Sequence, residues 1–184
     1  KCIELAPDDS ATLIGLAACE RQLAQPEKAE SLLRRVLASK ASPDLITNAK
    51  LELGQVLLDL QKVDEATSLL TEVVAATPQD SAAHHALGTA LAADGNAEKA
   101  QEEFSKSKEL VAQYARLAAI TQSLVNNPDN PDLRWEAGDI FMKQALHTEG
   151  AAWMSTALMY DPNHQKTHES LLRYYETIRK DPRM

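Results

Sequence analysis

Apolar side chains follow a helical rhythm along this chain. Between Asn96 and Asn126 there is neither Pro nor Gly, and good helix formers dominate. Within that stretch Leu110, Tyr114, Leu117, Ile120 and Leu124 recur every three or four positions, the spacing of one helix face. The spacing predicts a single helix from about Ala97 to Val125, roughly 43 Å at 1.5 Å per residue. Elsewhere the punctuation marks helix ends. Ser42-Pro43 and Asn130-Pro131 each read as an N-cap followed by Pro at the first helical position. Pro26 opens another helix, and Asp94-Gly95-Asn96 stops one with a glycine suited to the left-handed cap.

A second pattern lies over the first. Pairs of one apolar and one small residue fall at Leu16-Ala17, Leu53-Gly54, Leu87-Gly88 and Ala137-Gly138. Each is followed at a fixed distance by another small residue, Ala29, Ala66, Ala100 or Gly150, and then by a large one, Leu33, Leu70, Phe104 or Met154. Pro78 and Pro162 close two of the units. The reason is steric: two antiparallel helices touch backbone to backbone only where both carry Gly or Ala, and large neighbours fill the edges of that contact.

This pattern resembles the tetratricopeptide repeat (TPR) family over nearly the whole chain. The resemblance implies an all-α, right-handed solenoid of antiparallel helix pairs, with repeats at about 10–43, 47–80, 81–114 and 131–164. KCIELAPDD, residues 1–9, reads as the end of a preceding second helix closed by Pro7, so further repeats are expected before Lys1 and the chain is read as a fragment. Residues 165–184 read as a C-terminal capping helix, the first of a fifth unit. Two spacings depart from the family period of about 34 residues. The step from Ser10 to Thr47 is three residues too long, which places an extra turn after Ser42-Pro43. The step from Ser81 to Pro131 is sixteen too long, and the long helix over 97–125 absorbs it, joining the two halves. Sixteen residues rotate an unbroken helix by about 160° beyond four whole turns. The later repeats are therefore expected on nearly its opposite face.

Composition narrows the function. The 184 residues are 44% hydrophobic and only 4% aromatic, with a formal net charge of −8. That sign repels phosphate backbones, so nucleic acid is not an expected partner. No apolar run approaches the roughly 18–20 residues that span a bilayer, and direct membrane insertion is not expected. The small basic clusters, Arg34-Arg35 and Arg173, Arg179, Lys180 and Arg183, read as solvated faces.

Little in the chain suggests chemistry. Cys2 and Cys19, the only cysteines, fit neither a zinc framework nor a redox pair. Both sit where the family has a packed Ala, and they are expected to pack as small hydrophobes, with a disulfide or reactive thiol as the alternative. His84-His85 and the pair His164 and His168 are expected in capping and surface roles. A metal is the alternative for the second pair, but no Cys or acid is spaced to complete such a site. No HExxH, GxSxG, glycine-rich phosphate loop or CxxCH occurs. The chain is read as non-enzymatic and without cofactor.

The resemblance implies that the first helix of each unit lines a concave groove. Carried over position by position, the lining is Ile14, Ala18, Arg21 and Gln22, then Asn48, Leu51, Gln55, Leu58 and Asp59. From the later units come Ala82, His85, Thr89, Ala92 and Ala93, then Asp132, Trp135, Asp139, Met142 and Lys143. Lys166, Glu169 and Arg173 complete it. One TPR subgroup grips C-terminal carboxylates with Lys, Asn and Arg. At those positions this chain has Ile14, Ala18, Ala82 and Ala86, so that clamp is absent. The expected partner is another protein, held as an amphipathic helix or extended segment. Trp135 and Met142 are candidate anchors, with Trp135 packed on the long helix as the alternative. Self-association, or service as an architectural arm of a larger enzyme or membrane-bound assembly, are the alternative functions. The repeats read as bacterial in style, with cytoplasm and periplasm both open.

Overall fold

The computed structural model describes residues 9–179, with side chains through Glu176. Cys2, Pro7 and the expected end of a preceding repeat lie outside these residues, as do Lys180 and Arg183. The regular structure of the described residues is all helical, joined by short turns. They form α1 (Ser10–Gln22), α2 (Pro26–Leu37), α3 (Pro43–Asp59), α4 (Val63–Ala76), α5 (Ser81–Ala93), α6 (Ala97–Asn126), α7 (Pro131–Lys143), α8 (His147–Tyr160) and α9 (Gln165–Arg179). Two compact units divide the chain, residues 1–110 and 111–184. Helix α6 contributes to both.

The two helices of each hairpin begin differently. Asp9, Ser42, Asp80 and Asn130 cap α1, α3, α5 and α7, each accepting a backbone N–H of the first turn. Such a cap contributes about 1 kcal/mol. No side chain caps α2, α4 or α8. Those helices, and α6, follow three-residue turns whose third amide donates back into the preceding helix, as Lys62 N–H does to Leu57 O at 2.8 Å and Asn96 N–H to Leu91 O at 2.9 Å. The turn needs a left-handed residue. Gly95 supplies one at φ 81°, while Ala24, Gln61 and Ala145 adopt φ of 57°, 60° and 60°. The extra turn expected after Ser42-Pro43 is present: α3 has 17 residues, against 13 in α1, α5 and α7.

The small-residue pairs do what their sterics require. A Cβ added to Gly54 would lie 2.5 Å from the Leu70 side chain, and one on Gly88 would lie 2.7 Å from the Phe104 ring. Gly138 and Gly150 approach most intimately, each leaving a virtual Cβ only 2.9 Å from the other's carbonyl oxygen. In the first unit one core joins Leu13, Ala17, Leu33, Val36, Leu53 and Leu57 across α1, α2 and α3. A second joins Leu51, Leu70, Val73, Leu87 and Ala90 across α3, α4 and α5. Helix α3 thus serves both. In the second unit Ile120, Ala137 and Ile140 pack with Leu117, Leu124, Leu133 and Trp153.

Helix α6 runs unbroken for 30 residues, one beyond its expected end at Val125. Its sequence explains why no hairpin interrupts it. Counting one period back from Pro131, the two small-residue positions of a hairpin fall on Phe104 and Arg116. Neither permits backbone contact, and Arg116 instead reaches Glu136 of α7 with two hydrogen bonds.

Cys19 corrects an expectation. It is exposed rather than packed, because it lies on the face of α1 turned away from α2 and α3.

Candidate functional site

In the first unit the first helices of successive hairpins line a cleft of about 430 Å³. Arg21, Gln55, Leu58, His85 and Thr89, all expected in the groove, meet there with Asp59, Ala82 and Ala86. Polar groups from α1 and α3 hold one another across the cleft floor. Arg21 Nε donates to Asp59 Oδ2 at 2.6 Å and Arg21 Nη1 to Gln55 Oε1. The exposed His85 ring tilts against Phe104, centroids 5.4 Å apart, and the Thr89 hydroxyl donates to the His85 carbonyl. An adjoining cleft of about 370 Å³ shares Arg21, Gln55 and Asp59 and adds Ala18, Gln22 and Glu52.

Other expected lining residues lie elsewhere. Ile14 and Leu51 are core residues, 7% and 9% exposed. Both occupy the same repeat position, which the next first helix covers: α3 packs over Ile14 and α5 over Leu51. His85 holds that position in α5, with no further first helix in its unit, and stays exposed. Asn48 and Leu51 border a separate cleft, with Val73, Thr77 and Asp80.

The second unit has its own cleft, about 320 Å³, between α7, α8 and α9. Asp139, Met142, Lys143 and Arg173, four expected residues, line it above the fully buried Met154. Lys143 Nζ is 2.7 Å from Asp139 Oδ2. Trp135 is outside the cleft lining. Its indole N–H donates to Ser170 Oγ at 3.0 Å and Lys166 Nζ sits 5.2 Å above its ring, so it packs on α9 in the way Ile14 packs on α3. His147 and Tyr174, whose rings meet at a tilt with centroids 5.1 Å apart, line the cleft and were not foreseen. The available signal was the position of His147, first in α8 after the three-residue turn and so beside the end of α7.

The remaining candidates serve structure. His84, expected in a capping or surface role, is instead buried against Glu103 and the Pro78 carbonyl oxygen, its ring nitrogens 2.6 Å and 3.0 Å from them. His164 turns to Thr167 and Asp132, whereas His168 turns to the Pro162 carbonyl, so the pair does not converge. Among the described residues no three His, Cys, Asp or Glu side chains are placed to hold a metal ion. No helix among them is long and apolar enough to cross a membrane. On the second helices Glu30 accepts from Lys62 and Arg34, and Arg34 also reaches Glu65. The Lys62 hydrogen bond, then Arg34, holds the Glu30 carboxyl below its ordinary value against the opposing effect of burial. Lys166 lowers Asp132 in the same way, with a smaller part from His164, and Arg116 lowers Glu136.

Residues 9–127 match the family profile of the tetratricopeptide repeat-like domain. The chain belongs to this TPR-like family. No curated protein sequence matches it. Solved TPR-fold structures do. TTC0263, a thermophilic TPR protein of Thermus thermophilus, is 19% identical, over 92% of this chain and 99% of that one, with a TM-score of 0.52. YrrB, described as a TPR protein with an unusual peptide-binding site, is 17% identical over 92% and 95%, with a TM-score of 0.51. MamA of Desulfovibrio magneticus RS-1 is 21% identical over 86% and 78%, with a TM-score of 0.50. At these identities the likeness is one of fold.

Proposed function

We propose that this TPR-like chain is a protein-interaction scaffold that holds a segment of another protein along its first helices, without catalysis. The observation that carries the reading is the open cleft of the first unit, where side chains from α1, α3 and α5 meet around about 430 Å³. Small residues, Ala82 and Ala86, leave room there, and the Arg21–Asp59–Gln55 contact fixes polar groups in advance of binding. The peptide-binding site ascribed to YrrB, on a similar fold, agrees with this use.

Photo-crosslinking in an extract of the source cells tests it. A benzophenone side chain replacing Thr89 should capture a protein that one replacing Lys28, on the exposed side of α2, does not. Leu58→Glu should abolish that capture while leaving the helical circular dichroism unchanged. Equal capture from both positions would remove the cleft from consideration.

A second reading, pairing of two copies, is favoured by Val111 and Val125, 55% and 71% exposed and two heptads apart on α6. Monomeric sedimentation at about 50 μM, a concentration at which specific homodimers persist, would exclude it.

A further inference from the structure

We propose that the partner segment carries a lysine or arginine whose side chain seats between α1 and α3, against Glu52 and Asp59. This rests on the scaffold reading above and supplies the chemistry of its ligand. The two adjoining clefts of the first unit meet at Arg21, Gln55 and Asp59. Among the described residues Arg21 is the only cation lining either, and its guanidinium is already engaged by Asp59 and Gln55. Glu52 faces the same space, half-buried, with no hydrogen-bond or ion-pair partner among the described residues. A carboxylate drawn partly out of water gains more from an incoming cation than one at the open surface.

Nothing else on the three helices supplies that cation. Lys50 is the only other lysine or arginine on α1, α3 and α5, and it is 2.7 Å from Glu72 on α4. Ala18 and Leu58 offer apolar surface on either side, suited to the methylene stem of a long basic side chain. The formal charge of −8 draws cationic segments toward the molecule and repels acidic ones.

Random dodecapeptides displayed on phage, selected on the full chain, test the inference. The peptides enriched should carry Lys or Arg, and their fluorescence-anisotropy affinity should fall at least about tenfold with Glu52→Lys and less with Glu52→Gln. It should also fall several-fold as sodium chloride rises from about 50 to 300 mM. The Glu52→Gln protein is compared only after its thermal midpoint matches the parent. Peptides lost with Leu58→Glu but indifferent to both Glu52 variants overturn this inference and leave the scaffold reading standing. Acidic or uncharged peptides overturn it equally. Failure to enrich any peptide sensitive to Leu58→Glu sinks both, as does a second copy of the chain shown to fill the cleft.

Discussion

Ala24, Gln61 and Ala145 carry a backbone cost that Gly95 avoids. A left-handed non-glycine residue is disfavoured by about 1–2 kcal/mol, while glycine loosens the unfolded chain by somewhat less. Replacing each of the three by Gly should therefore stabilise the protein by about 0.5 kcal/mol, measured by urea unfolding. The helical glycines behave oppositely. Gly138→Ala places a methyl against a carbonyl oxygen that only helix separation relieves. It should cost about 1–2 kcal/mol net of alanine's better helix propensity. Gly88→Ala meets mainly the half-buried Phe104 ring, which can shift, and should cost less. Glu30 adds a pH dependence. Its folded value is depressed, so its contribution is complete above the ordinary glutamate value of 4.5 and disappears as pH falls through the folded value. Glu30→Gln should destabilise at about pH 7 and flatten the loss of stability as pH falls below the ordinary glutamate value.

Most elements were legible from local signals. Caps at Ser42 and Asn130, Pro26 at a helix start and Gly95 at a turn are chemical statements about one backbone position, and each held. The unbroken α6 was legible too, since nothing between Asn96 and Asn126 breaks a helix and Arg116 stands where a hairpin needs a small residue. Ala112→Pro should introduce that break. Ala112 is exposed, so the effect comes from the backbone alone, about 3 kcal/mol. Thermal unfolding followed by circular dichroism should then separate into two steps. A single unchanged transition would mean that α6 tolerates a break there.

At the scale of the whole molecule the sequence spoke less clearly. Register placed Arg21, Gln55, Leu58, His85 and Thr89 on one surface, and the cleft unites them. It did not reveal that Ile14, Leu51 and Trp135 would be covered by the following helix, because that depends on how hairpins stack and not on which face of a helix a residue occupies. Nor did it reveal Cys19 as exposed, since a small residue suits a packed seam and an open face equally.

The double membership of α3 reaches into the timescales of the protein. Leu53, Val56 and Leu57 belong to one core of the first unit and Leu51 to the other, so the middle of this helix is not released by loss of either core alone. Its amides from about Leu53 to Leu57 should exchange with deuterium only through unfolding of the whole unit, while those near Pro43, in the added turn, exchange by fraying. The helix that the period made too long becomes, over its remaining length, the slowest clock in its unit.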